Sequence, residues 1–504
     1  MSSTASHWLV RIRRLAAAAA LATLFSCGAS GTENPHFGGV LRIELREASL
    51  SLDPREWKPG TPESAANEKL ATLIFDRLVS LDAYGRFQPQ LAIEWTHDAG
   101  FKRWAFTLRS GVKFSDGAPL TAAEAEAALQ PLLPAGVHVS GAGMSLTLQS
   151  SAAMPDLLEQ LASSRHFVYR DSGDGRLLGT GAFILTEFPS AKADGKSVRY
   201  ILQANRDCWA GRPFLDRIEI TAGLPALTRM LDLQLGRAEI VELAPELVRR
   251  AQQEDLRVWA SDPVTLYALR FAEVEDAASS RMREAVALSL DRAAMAGVLL
   301  QKQAMPAAAL LPEWLSGYAS LFSIEPESER AGKLRDVMAS AALPSRPVLL
   351  RVDATGELAK LLGERVVLNA RQGEINLQVA AKTAQRSASS DSTAAHLFVW
   401  RFASLSPREE FDALNAELHL SDSAECSSPP MDLPQLYARE RKLLDDRRVV
   451  PLVLLPEYVG LAPNVRDWMP SRWDDWHLAD AWLDTPEPRP LGLGRNISAA
   501  GAKP

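Results

Sequence analysis

Cysteine is scarce in this chain: Cys27, Cys208 and Cys426 are the three in 504 residues. A disulfide-stapled scaffold is thereby excluded, since such folds need several pairs in a short chain. Histidine is thin and scattered as well. His7, His36, His97, His138, His166, His396, His419 and His477 form no H-E-x-x-H and no close pair at ligand spacing, so no metal site is expected. A G-x-S-x-G nucleophile elbow is missing. Gly195-Lys196-Ser197 ends like a phosphate-binding loop but has Ser190 where the first glycine belongs. No nucleophile–base pair emerges for a secreted hydrolase, and no cofactor motif. Positive charge is short too: the formal charge is −7, with 55 basic and 62 acidic side chains. Residues 1–26 hold three of the arginines and no acid, so the remainder carries −10. That leaves no basic field for nucleic acid. Beyond Leu15–Phe25 there is no uninterrupted apolar run long enough to span a bilayer.

The first segment is a targeting signal. Arg11, Arg13 and Arg14 precede the apolar run, which ends in Leu24-Phe25-Ser26-Cys27. A basic start, a short apolar stretch and a small residue before Cys fit a lipoprotein signal peptide over 1–26 with lipid on Cys27. A plain secretory peptide and a single N-terminal anchor are the alternatives. Residues 27–38, polar with Gly and Pro, read as a tether. The expected place is the periplasm or cell envelope, held to the inner or the outer membrane by lipid.

From residue 39 onward the chain is soluble in composition and long enough for two or three lobes. Its densest signal runs from Leu73 to Leu120. Leu70, Leu73, Ile74 and Leu78 recur at helical spacing, predicting a helix over 67–78 and a turn at Ala83-Tyr84-Gly85. Trp104 to Leu108 reads as a strand, Gly111 and Asp116-Gly117 as tight turns, and Thr121 with Glu124 as a capping box opening a helix.

The order of residues here resembles one family. Phe75, Leu78 and Val79 match F-x-x-L-V, and Gly85, Phe87, Pro89, Leu91, Ala92 and Trp95 match G-x-F-x-P-x-L-A-x-x-W. Trp104, Phe106, Leu108, Arg109, Gly111, Val112, Lys113, Phe114, Asp116, Gly117, Pro119, Leu120 and Thr121 match W-x-F-x-L-R-x-G-V-K-F-x-D-G-x-P-L-T. These are motifs of the bacterial extracellular solute-binding proteins of family 5, the peptide and nickel type. Gly179-Thr180-Gly181 and Asn205 to Ile220 resemble later blocks, with Ala182 and Cys208 replacing the usual proline and tyrosine. The resemblance thins between Glu325 and Ser390 and recovers at Arg439 to Trp468.

The resemblance implies an α/β, two-lobed periplasmic-binding-protein-like fold (type II, cluster C-like) with a ligand cleft between the lobes. Lobe I is expected at 39–268, with a subdomain about 76–178; lobe II at 269–450; a return segment at 451–485; and a loose tail at 486–504. The loop after the first strand, Val40 to Leu45, borders the cleft in the family, so Arg46, Glu47 and Ser49 are candidate ligand contacts or ordinary solvated residues. Cys208 and Cys426 either pair or stay as separate thiols.

Ligand choice is expected in lobe II. Peptide-binding relatives carry W-x-x-D-x-x-D-P there, whose first Asp takes the ligand's α-ammonium. This chain has Trp400 and Pro407, but Ala403 and Ser406 stand in place of the acids. A buried ammonium without a countercharge costs several kcal/mol, so the usual grip on a peptide amino terminus is not expected. Trp400 and Phe402 are expected as pocket walls, with Arg401 either a fork for carboxylate or phosphate or a side chain turned to water. The implied function is a non-enzymatic, monomeric, substrate-binding lipoprotein that captures a small-molecule or oligopeptide ligand and passes it to ABC transporter permease subunits. An envelope lipoprotein that keeps the fold for sensing or structure, without transport, is the alternative.

Overall fold

Two strands in this molecule are unusually long, and the rest of the sheet is arranged on either side of them. The computed structural model describes residues 35–48, 50–82, 84–163, 165–187, 197–271, 277–340, 348–352, 356–380, 395–418, 432–468, 470–472 and 476–484. From Phe37 onward these form one unit. Its main sheet has eleven strands. In chain order they include β1 (Val40–Leu45), β2 (Phe183–Glu187), β3 (Val198–Ala204), β4 (Arg217–Ala222), β5 (Ile240–Leu243), β6 (Arg257–Phe271), β7 (Val348–Val352), β8 (Leu377–Val379), β9 (Ala395–Arg401) and β10 (Val449–Leu461). Neighbours run β2-β3-β4-β1-β5-β10-β6-β9-β7-β8, and Met305–Pro306 adds to β10.

β6 has 15 residues and β10 has 13, against about five for an ordinary strand. They pair antiparallel from Arg257 opposite Leu461 to Arg270 opposite Val449. At one end β10 also pairs with β5, and at the other β6 pairs with β9. The two long strands therefore belong to both lobes. Midway, Pro263 faces Pro456 and the register shifts on both sides of Pro263. Proline donates no ladder hydrogen bond, so the two long strands are least tied to each other at this point.

The first lobe's core gathers Leu41 and Ile43 of β1 with Leu70, Phe75, Phe106, Phe167 and, from the far end of the chain, Trp468 and Trp476. Those last two rings pack edge to face at 5.2 Å. In the second lobe, alternation along β6 feeds two cores. Leu266 and Ala268 join Trp400, Phe402 and Phe411 on one face; Tyr267 and Leu269 join Val286, Leu362 and Leu397 on the other.

The motif-dense region owes its register to one buried carboxylate. Asp76 accepts from Gln90 Nε2 at 2.9 Å, Thr180 Oγ1 at 2.7 Å and Trp209 Nε1 at 2.8 Å, so three separate blocks converge on it. Gly179 and Gly181 lie against the Ile74 carbonyl, where a Cβ would come within 1.9 and 2.6 Å of the oxygen. Glycine is required there by backbone packing, not by ligand.

Several boundaries differ from expectation. The helix expected over 67–78 runs Pro62–Ile74: Thr61 caps it by accepting from Ser64 N, and Phe75 turns extended so that Asp76–Arg77 can pair with Phe167–Val168. Thr121 caps its helix as expected, accepting from Glu124 N. Leu310 and Leu311, which resemble a segment at the second lobe's mouth, are buried, and both their amides donate to Glu440. Cys208 has a free thiol that burial pushes up to about 11. Cys426, Cys27, the loop over 384–394 and the tail lie outside the described residues.

Candidate functional site

The lobes meet where the chain after Lys58 touches the end of β9. Arg401 N donates to Gly60 O at 2.8 Å, and Gly60 sits at φ +76 against the face of the Trp400 indole. Beside this bridge the segment after β9 lies on the first lobe. Leu405 N donates to Ser163 Oγ at 3.0 Å, Ser406 Oγ donates to Asp156, and Arg408 pairs with Asp156 at 3.0 Å. Ser406 also caps the helix Pro407–Glu417 by accepting from Glu409 N. That cap places Glu409 and Glu410 in the first turn, facing the first lobe.

Two small cavities, each about 40 Å³, lie along this seam. One is bordered by Gly60, Ser64, Arg165, Ser404 and Glu409; the other by Arg46, Tyr267, Val399, Leu455 and Glu457; Arg401 borders both. A volume of that size holds a water or two, so a solute enters only if the lobes part.

The charges at this seam are strongly coupled. Arg46 pairs with Glu47 at 3.0 Å, and its backbone N–H donates to Glu242 at 2.8 Å. Burial alone would lower the Arg46 pKa, but Glu457, Glu242 and Glu47 more than offset that and raise it. Burial raises Glu242, yet Lys69 and Arg46 overcome burial and hold its carboxyl below the ordinary range. Lys69 Nζ contacts Glu242 directly. Burial pushes the Tyr267 hydroxyl up to about 12. Glu409 behaves differently: burial dominates, despite the hydrogen bond from Ser404 and the Arg165 charge, and its pKa rises to about 7. Glu410, raised by burial, accepts from Trp400 Nε1 at 2.9 Å and from the amides of Ala403 and Ser404.

Residues 86–402 match the family model described as Bacterial extracellular solute-binding proteins, family 5 Middle. The chain belongs to this family. Nickel-binding protein NikA of Staphylococcus aureus is 23% identical over 308 residues, covering 57% of this chain and 59% of NikA. The match thus spans under two thirds of that relative's length. Two solved structures share the fold. The oligopeptide-binding protein AppA of Bacillus subtilis, in complex with a nonapeptide, superposes with a TM-score of 0.69 at 15% identity, covering 90% of this chain and 100% of AppA. The ABC transporter substrate binding protein CtaP of Listeria monocytogenes gives 0.70 at 14% identity, covering 89% and 99%. The family is one of solute-binding proteins.

Within this family-5 protein the expected site residues divide. Arg46 and Arg401 come together at one cavity. Glu47 is reached through its pair with Arg46, and Ser49 lies outside the described residues. Trp400 and Phe402, expected as pocket walls, are instead 2% and 1% exposed inside the second lobe's core and border neither cavity. The physical reason is that helices Pro407–Glu417 and Leu433–Asp445 pack on their side of β9 and Gly60 of the first lobe closes over the Trp400 ring, while Val399 and Arg401 line the second cavity. Gly60, Glu409, Tyr267 and Glu457 were missed. For Glu409 a signal exists: Ser406-Pro407-Arg408-Glu409 is a helix-start pattern that points an acid back at the first lobe.

Proposed function

We propose that this protein captures a small polar solute bearing a carboxylate between its lobes and delivers it to the permease subunits of an ATP-driven importer. One observation carries the reading. Arg46 from the first lobe and Arg401 from the second border the same cavity, so closing the lobes brings two guanidinium forks toward one point. A solute held by both is bound better in the closed form, and such differential contact is what drives closure. Pro263 opposite Pro456 is the hinge in this scheme. Peptide and nickel names among the similar proteins, and the transporter name of CtaP, support cargo class and partner. We further propose export to the periplasm or cell envelope, anchorage by lipid on Cys27, and action as a monomer.

Calorimetry with one tripeptide in three forms tests the grip. The free and N-acetylated peptides are expected to bind, and the C-terminal amide to bind at least tenfold more weakly. Replacing Arg401 with Met abolishes the difference. Binding that survives amidation but is lost on N-acetylation overturns the arginine reading.

A further inference from the structure

We propose that the second lobe holds a second binding site, for a small organic oxyanion such as a tricarboxylate or sugar phosphate, separate from the cleft. The site is a cavity of about 300 Å³, at the low end for a small-molecule pocket. It lies between the loop Phe322–Glu325, the helix Leu433–Asp445 and the start of β10. Here β10 contributes Val449 to Pro451, whereas the cleft uses Leu455 to Tyr458. At roughly 3.3 Å per residue the two sites are on the order of 20 Å apart.

Four arginines border this cavity, Arg292, Arg330, Arg441 and Arg447, against two acids, Glu325 and Asp445. Asp445 and one oxygen of Glu325 are already engaged, while Glu325 Oε2 is buried with no hydrogen-bond partner. Glu325 Oε1 takes Lys333 Nζ at 2.9 Å and lies 3.9 Å from Arg447, and Asp445 faces Arg441 at 3.5 Å. Arg330 donates to the Leu290 carbonyl and Arg447 to that of Leu444 at 3.0 Å. Arg292 is the exception: its Nε is buried with no acceptor, and it forms no ion pair among the described residues. Burial first, then repulsion from Arg447 and Arg330, outweighs the opposing charge of Glu325 and pulls its pKa down to about 10. A buried N–H without an acceptor is costly, and an anion in the cavity supplies one. Leu321, Phe322 and Ile324 give an apolar wall, which favours an organic anion over a bare inorganic one.

Isothermal titration of the purified full chain with citrate, and separately with inorganic phosphate, tests the site. In the Arg46→Ala chain, whose cleft has lost one of its two guanidinium forks, citrate is expected to bind one to one, and at least tenfold more weakly once Arg292→Met is added, with partial retention when Arg292→Lys is added instead. Without citrate, Arg292→Met is expected to melt no lower than the unaltered protein, because the buried N–H it loses has no acceptor. Three results would overturn the proposal. One is no saturable heat from either anion; another is loss of citrate binding in Arg46→Ala but not in Arg292→Met. The third is a lowered melting point for ligand-free Arg292→Met, which would mean that the guanidinium is already satisfied.

Discussion

Replacing Gly60 with Ala should open the lobes without unfolding either one. A Cβ at residue 60 would fall 2.2 Å from Trp400 Cε3 and 2.3 Å from Cζ3. The indole cannot retreat, being 2% exposed with its Nε1 held by Glu410 at 2.9 Å. Because Gly60 and Trp400 lie on different lobes, parting the lobes relieves the clash. The φ of +76 adds about 1–2 kcal/mol for any L residue, open or closed. Overpacking of about 1–3 kcal/mol and loss of the Arg401–Gly60 hydrogen bond, about 1 kcal/mol, weigh on the closed form alone. The closed form should lose about 2–4 kcal/mol relative to the open one, a shift of roughly 30- to 700-fold in their ratio. Small-angle scattering of the ligand-free protein reads this out. The unaltered chain should scatter as the closed form, and G60A should show a larger radius of gyration with a cooperative melt. If G60A scatters like the unaltered protein, or the unaltered protein is already open, the role assigned to this contact is wrong.

Glu409 should make the stability of the fold depend on pH. Its folded pKa, about 7, lies above its unfolded value, so the folded form holds a proton that the unfolded chain releases. Stability from this group is full below about pH 4.3 and declines up to about 7. Glu409→Gln should flatten that slope and stabilise the protein at pH 8 by roughly 2 kcal/mol, allowing for partial exposure, in urea titrations across pH. A slope unchanged by the substitution would count against it. Glu242 has the opposite sign: its folded pKa is depressed, so its share of stability is present above about pH 4.3 and fades as pH falls through the folded value. Lys69→Met, which removes the cation in contact with Glu242, should cost about 3–5 kcal/mol, with part regained by adding Glu242→Gln. Thermal melts of the single and double variants decide, and a null effect of Lys69→Met would show that Arg46 alone suffices. Asp76→Asn should destabilise by about 1–3 kcal/mol, because an amide nitrogen would oppose one of three donors; an unchanged melt would remove Asp76 from its hub role.

The fold was legible because the motifs are structural. Asp76 joins three of them, and the glycines of Gly179-Thr180-Gly181 fit against a helix end, so the residues that carry the resemblance are those that assemble the first lobe. The strand Val40–Leu45 could be read for the same reason: Leu41, Ile43 and Leu45 alternate into one core. Ligand contacts were harder to see. Alternation puts Trp400 and Arg401 on opposite sides of β9, but Arg401 is buried and not turned to water. Alternation could not say which side faces the cleft, because both faces of this sheet are covered and the outcome depends on distant helices. Gly60 had no local signature, since the ring it accommodates lies 340 positions away in the chain.

The replaced acids now have a structural consequence. Ser406, standing where one acid was expected, is fully buried as a helix cap and reaches Asp156 across the seam. At the cavity beside Gly60 and Arg165, the carboxyls that could meet a ligand's ammonium are Glu409 and Glu410. Glu410 is occupied by the Trp400 indole and two amides, and Glu409 is close to half-protonated at neutral pH with Arg165 beside it. A carboxyl in that condition is a poor counter-ion. At the second cavity Glu457 is shared between Arg46 and Arg401, so two guanidinium groups face one bordering carboxylate there. That asymmetry favours a solute recognised by its carboxylate end over one recognised by its amine.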